Sequence, residues 1–372
     1  MTTIVTRQLF TPVQIGPFTL KHRVVLPAMS RLRATTGNVA TDLMREFYTQ
    51  RASDGGFLIA ESSPVAPEGR SYHTMPALYN DEQVEGWKKV TDSVHEKGAI
   101  FFAQLTHAGR ATGTANTNGA DPVSPSVDPT FWNNKNIVVS TKDGFVLPSP
   151  HRELKTDEIP SIVDQFRQAA VNAQKAGFDG VEILSGNSHL VEQFLHDSVN
   201  KRTDRYGGSI ENRMRFLMEI VDAVVQVWGG DRVGVRVSPS SVFGQVGDSD
   251  PHALYQQVAE RLNDFGLAYF HVIEPRISGA DTVAEGQGPV AADELRKAFS
   301  GPIIAAGGFE PDTAETTVAN GVASLVSFGR HFIANPDLPK RIELGLPLNK
   351  YDRSTFYAFD AKGYTDYPFY SK

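Results

Sequence analysis

The sequence contains no cysteine. Disulfide staples, zinc–thiolate sites, iron–sulfur clusters and a cysteine nucleophile are therefore excluded. Positive charge is not in excess: 36 Lys plus Arg against 43 Asp plus Glu leave a formal net charge of −7. Such a chain, with no basic run, is a poor candidate for binding nucleic acid through phosphate neutralisation. Long apolar runs are missing as well. No stretch approaches the roughly 20 apolar residues of a membrane span, and Met1–Gln8 has no apolar run of signal-peptide length. The expectation is a soluble, cytoplasmic protein with neither nucleic acid nor membrane as partner. His-Glu-x-x-His and other metal-ligand spacings are absent, so no metal is expected. What the chain has is 40% hydrophobic residues over 372 positions, enough to bury a large core.

Short apolar runs of strand length recur, each followed by a helical pattern. The runs are Val24–Leu26, Phe57–Ala60, Ile100–Leu105, Val181–Leu184, Val233–Val237, Tyr269–Ile273, Ile303–Ala306 and Leu325–Phe328. They are nearly continuous rather than alternating, which suits strands buried on both faces. Helices are expected over Thr41–Ser53, Asp81–Glu96, Lys155–Ala176 and Ile210–Trp228, from Asp250 to before Gly266, and in shorter form near Asp293 and Pro311. Acidic or proline starts and glycine stops punctuate them. Eight such alternations indicate a (β/α)8 barrel, one domain over residues 1–372. A doubly wound sheet would normally carry a Gly-rich first turn, and neither G-x-G-x-x-G nor a P-loop is present. Leu9–Leu20 reads as a hairpin able to plug the barrel bottom. The segment from Gly109 to Arg152 is too long for a plain connection, so it is either a lid or poorly ordered.

In a barrel, chemistry sits where strands end. Gly307-Gly308 and Gly329-Arg330, after the last two strands, match the usual barrel phosphate site. Glycine lets backbone N–H groups approach a phosphate, and arginine adds a bidentate donor. Arg236 points inward from a strand, where an unpaired cation is costly, so an anionic group should face it. A phosphorylated cofactor with a second, delocalised negative charge would satisfy both arginines. Each feature also has a plainer reading. The glycines could form tight turns, Arg236 could pair with Glu61 or Glu182, Gln104 could be a satisfied core amide, and His271 and His107 could be packing residues.

Several long stretches in order carry a resemblance to a known family. They are His22–Ala34, Gln104–Arg110, Ala176–Glu182 continuing to Gln193–Leu195, Asn200–Arg213, Val235–Pro239, Phe328–Leu338 and Gly363–Pro368. Over nearly its full length the chain resembles the old yellow enzymes, FMN-dependent ene-reductases, and the tail Leu346–Arg353 with Thr355–Tyr357 looks most like fungal members. The resemblance implies FMN above the strand ends. Ala28, Met29 and Ser30 would line the flavin, with the Ser30 hydroxyl reaching its O4. Ser62 would contact the ring, and Gln104 would bond the pyrimidine edge. Arg236 would lie near N1 and O2, and Gly307, Gly308, Gly329 and Arg330 would hold the phosphate. It also implies NADPH as electron donor, a small-molecule alkene substrate, usually an α,β-unsaturated carbonyl compound, and a monomer or homodimer.

The family pattern after the fourth strand is Glu-Ile/Leu-His-Ser-Ala-His/Asn-Gly-Tyr-Leu, whereas this chain reads Glu182-Ile-Leu-Ser-Gly-Asn-Ser-His-Leu190. Leu184 thus stands for the first oxygen-binding histidine. Asn187 keeps the second, and His189 replaces the tyrosine that donates a proton. Thr106 replaces a tryptophan, while Tyr72 and Tyr357 keep positions that line the substrate cavity. The expected catalytic residues are His189 and Asn187, and the expected substrate-binding residues are Tyr72, Thr106, Leu184, Asn187, His189 and Tyr357. With its ordinary pKa near 6.5, His189 would be partly protonated near neutrality and could act as the acid, or it could simply line the cavity. Ene-reduction of a specialised substrate is the first reading. A flavin-dependent double-bond isomerase or other non-reductive reaction is the alternative, and a flavoprotein without alkene turnover the third.

Overall fold

Eight parallel strands close on themselves in the computed structural model, which describes residues 7–278, 281–282 and 290–371. The strands are β1 (Val24–Leu26), β2 (Phe57–Ile59), β3 (Ile100–Thr106) and β4 (Gly180–Ser185), followed by β5 (Val233–Val237), β6 (Tyr269–Ile273), β7 (Ile303–Ala306) and β8 (Leu325–Ser327). Each pairs in parallel with the next, and β8 returns to β1 through Val326 opposite Val24. Observed strand ends lie within one residue of the apolar runs, because strands covered on both faces are apolar along nearly their whole length. The expected (β/α)8 barrel is the observed one.

Helices α1 (Asp42–Arg51), α2 (Asp81–His95), α3 (Ile159–Lys175), α4 (Leu190–Leu195), α5 (Ile210–Trp228), α6 (Pro251–Leu262) and α7 (Pro311–Ala319) cover the outside. Their starts follow from local chemistry. Thr41, Asn80, Ser209 and Asp250 each accept a first-turn N–H on the side chain, satisfying donors that have no intrahelical partner. The outer core lies between helices and strands, around Trp87, Phe101, Phe166, Phe194 and Tyr255. A second cluster fills the barrel bottom. There Ile15 and Leu20 from the N-terminal hairpin, Val13–Ile15 against Phe18–Leu20, pack on Phe57, Phe102 and Tyr269. The hairpin thus covers the end of the barrel opposite the strand C-termini.

The long segment after β3 is built rather than loose. Val123–Ser124 pairs with Arg152–Glu153, and Val139–Thr141 forms a hairpin with Gly144–Val146. Buried Arg110 ties it to the barrel. Its guanidinium lies 4.2 Å from the Phe131 ring centroid, 3.1 Å from Asp128 and 3.0 Å from the Gln245 carbonyl. The segment therefore roofs the strand ends. Among the described residues no helix is long and apolar enough to cross a membrane.

Candidate active site

A cavity of about 580 Å³ opens at the C-terminal ends of the strands. Its wall includes Ala28, Met29, Ser30, Ser62, Tyr72, Gln104, Leu184, Asn187, His189, Arg236, Gly307, Gly308, Gly329, Arg330 and Tyr357. Every site residue named from sequence is thus brought together there except Thr106, which is fully buried behind the wall. The roof residues Phe131, Ile137, Val138 and Val139, and the β5 loop residues Val242 to Gln245, also face it. The sequence marks the 109–152 segment as a possible lid but singles out none of these residues, because roof and loop carry no periodicity. Tyr72 and Tyr357 stack at 6.3 Å between ring centroids.

Strand register sets the floor. Gln104 lies opposite Glu182, and Leu184 opposite Arg236, which in turn lies opposite His271. Glu182 is fully buried and accepts from Gln104 Nε2 at 2.6 Å, with His271 Nδ1 at 2.8 Å. Burial opposes its charge, but His271, Arg236 and Gln104 more than offset this and hold the carboxyl below the usual range. His271 also reaches Ser327 Oγ at 3.3 Å, so it serves the core network rather than the cavity. Arg236 forms no ion pair within 4 Å among the described residues. Its Nη1 donates to the Ala28 carbonyl at 3.1 Å, while its Nε is buried without a partner. An enclosed guanidinium with an unmet donor on a cavity wall calls for an acceptor or anion there.

The opposite corner fits a phosphate. Gly307 and Gly308 adopt φ of +118° and +63°, a backbone region that side chains other than glycine rarely enter. A Cβ on Gly307 would lie 2.6 Å from Ile277 Cγ1. Arg330 follows Gly329 on the same wall, with its guanidinium carbon 5.6 Å from the Tyr351 ring centroid. Glycine cradle, arginine and the unmet Arg236 donor together fit FMN. Gln104 has one amide hydrogen left after bonding Glu182, and its Oε1 already accepts from Ser62. Gly307→Ala should lower stability by about 1–3 kcal/mol through overpacking and backbone strain. It should also weaken FMN retention. Urea unfolding and FMN titration check both.

The β4 loop presents the polar groups facing this floor. Asn187 and Ser188 both adopt left-handed φ, +56° and +67°. A buried pair holds them. Ser238 Oγ accepts the Asn187 N–H at 2.9 Å and contacts Glu192, which also accepts the Ser188 N–H. Burial pushes the Glu192 carboxyl up to about 8, against the pull of Ser238 and the Ser188 N–H. This clamp was not read from sequence, since Glu192 and Ser238 are 46 residues apart.

His189 follows at the start of α4, its ring half-buried on the cavity wall and its Nδ1 against the Thr106 hydroxyl. Burial, with His107 nearby, drives its pKa down to about 4. The imidazole is therefore neutral at neutral pH, and the partial protonation expected from its ordinary pKa is corrected by burial. Thr106 is likewise corrected: it backs His189 instead of lining the cavity.

The NADH:flavin oxidoreductase / NADH oxidase family matches residues 8–349. The chain is 47% identical over 366 residues to 12-oxophytodienoate reductase 1 of Oryza sativa subsp. japonica, covering 97% of this chain and 93% of that protein. It is 44% identical over 364 residues to 12-oxophytodienoate reductase 2 of Arabidopsis thaliana, covering 97% and 95%. These are plant proteins, so they lend no support to the fungal likeness of the tail. Among solved structures, morphinone reductase in complex with tetrahydroNAD superposes with a TM-score of 0.89 at 41% identity, covering 98% of each chain. The old yellow enzyme homologue from Zymomonas mobilis gives 0.91 at 38% identity, covering 97% of this chain and 99% of that one. With this match in sequence and fold, the chain belongs to the NADH:flavin oxidoreductase / NADH oxidase family, the old yellow enzymes.

Proposed function

We propose that the chain, acting as a single domain, is an FMN-dependent ene-reductase that reduces the activated C=C bond of an α,β-unsaturated carbonyl compound with NADPH. The observation that carries this reading is the enclosed Arg236, with its unmet Nε, facing the same cavity as the Gly307–Gly308 cradle. FMN bound along that wall supplies hydride transfer to and from carbon. Arg236 and Gln104 orient its ring, Gly307, Gly308, Gly329 and Arg330 hold its phosphate, and Ala28, Met29, Ser30 and Ser62 close on it.

Asn187 and His189 present the polar groups on the substrate side. As neutral N–H donors they bind the carbonyl oxygen and stabilise charge that builds there. Leu184 offers no donor, and Phe131, Val138, Val139, Val242, Phe243, Tyr72 and Tyr357 make the rest of the wall largely apolar. The substrate is accordingly a specialised, largely apolar enone rather than a small cyclic one. Leu184→His should raise turnover of cyclohexenone, because it restores a second donor beside Asn187. Equal or lower turnover at matched FMN occupancy would count against this.

NADPH is proposed over NADH on the family resemblance. Comparing kcat/KM for the two tests it. Consumption of one NADPH per reduced product supports the reductase reading, whereas a product of unchanged mass would favour the isomerase.

A further inference from the structure

We propose that Thr106 is a positioning residue that fixes His189 in the tautomer with its hydrogen on Nε2, so that a neutral N–H faces the cavity. The two residues are 83 positions apart, brought together where β3 ends and α4 begins. Both also depart from the family pattern.

Hydrogen-bond bookkeeping selects the tautomer. Thr106 is fully buried, and among the described residues its hydroxyl has one partner, His189 Nδ1. If Nδ1 carried the hydrogen, it would donate to Thr106 Oγ1, and the hydroxyl hydrogen would have no acceptor. A buried donor without an acceptor is the costlier arrangement. If Nε2 carries the hydrogen, the hydroxyl donates to Nδ1 and both groups are satisfied. Thr106 is held for this task by its strand. It pairs with Pro64, and its carbonyl accepts the Val65 N–H at 3.0 Å. His189 is held in turn by its own backbone, whose N–H reaches the Gly186 carbonyl at 3.2 Å and whose carbonyl accepts from Gln193 at 2.9 Å. Nε2 makes no hydrogen bond among the described residues, and the ring lines the cavity. The hydrogen bond at one ring nitrogen thus decides what the other offers.

The tautomer rests on the hydrogen-bond geometry together with the neutrality that burial gives the ring, while its use in turnover rests on the ene-reductase reading. Under that reading, Asn187 and His189 Nε2–H form a two-donor site for the carbonyl oxygen, replacing the donor that Leu184 lacks. His189 keeps its proton throughout, and the proton that completes reduction at the α carbon comes from water.

The test uses FMN-loaded enzyme labelled with 15N-histidine, with the His189 signals identified by their loss in His189→Phe. Long-range proton–nitrogen correlations distinguish the two tautomers. The native enzyme should show the Nε2–H pattern. Thr106→Val, equal in shape but without the hydroxyl, should move the Nδ1 signal downfield, toward a ring nitrogen that accepts no hydrogen bond, and Thr106→Ser should restore it. Thr106→Val should also slow reoxidation by an enone about 10- to 100-fold, the range found where an outer partner fixes an imidazole. A native Nδ1–H pattern, or an Nδ1 shift unchanged in Thr106→Val, would overturn the assignment. Failure of the native enzyme to turn over any enone would overturn the ene-reductase reading and leave the spectrum to decide the tautomer.

Discussion

Replacing His189 with phenylalanine is expected to slow reoxidation of the reduced enzyme by an enone by roughly 10²–10³, the cost of removing one donor from a charge-stabilising pair. Reduction by NADPH should be affected far less. Stopped-flow measurement of the two half-reactions separates these effects. The pH profile carries a sharper expectation. His189 has its pKa lowered to about 4 by burial, with His107, itself lowered to about 4 by burial, as its charged neighbour when protonated. Above that value the imidazole stays neutral, so its contribution to the rate should be flat from about pH 6 to 8. A rate that falls with rising pH in this range, and loses that dependence in the variant, would instead make His189 an imidazolium acid. Stability follows the same linkage. The ordinary histidine pKa near 6.5 exceeds the folded value, so the unfolded chain binds the proton first. His189 therefore adds stability above about pH 6.5 that is lost as pH falls toward 4.

Arg236→Met should have the next largest effect. The guanidinium is, after His271, the next charge that holds the buried Glu182 carboxyl down, and it lines the cavity with its Nε enclosed and unpartnered. Removing one partner of a buried charge typically costs on the order of 3–5 kcal/mol. That loss should divide between protein stability, FMN affinity and the flavin midpoint potential, which should become more negative. Arg236→Lys keeps the charge but not the fork, and should recover part of the potential. An unchanged potential in a folded, FMN-loaded Arg236→Met protein would contradict the role given to Arg236.

The barrel was legible because its signal is local. Strands such as Val24–Leu26 and Ile303–Ala306 are apolar throughout and bounded by Arg23 and Pro27 or by Pro302 and Gly307, so their ends could be read within one residue. The floor of the site was legible for a related reason. Gly307, Gly308, Arg330 and Arg236 sit at strand ends, and their positions along the chain fix their place in the barrel. What the sequence did not disclose depends on segments meeting across the fold. Phe131 and Val138 reach the cavity only because Arg110 ties the roof to Asp128 and the β5 loop. The left-handed Asn187–Ser188 turn depends on Glu192 and Ser238. The neutrality of His189 depends on enclosure by residues from β3 and the segment beyond it, which no pKa table for an isolated histidine can contain.

The most direct measurement is single-turnover reoxidation under anaerobic conditions. Enzyme loaded with FMN and reduced by one equivalent of NADPH is mixed with bulky apolar enones, and flavin absorbance and product mass are followed together. The expected result is stoichiometric return of the oxidised flavin spectrum with a product heavier than the enone by two hydrogens. A reduced flavin that persists with every enone, or a product of unchanged mass, would contradict the assignment of this cavity to ene-reduction.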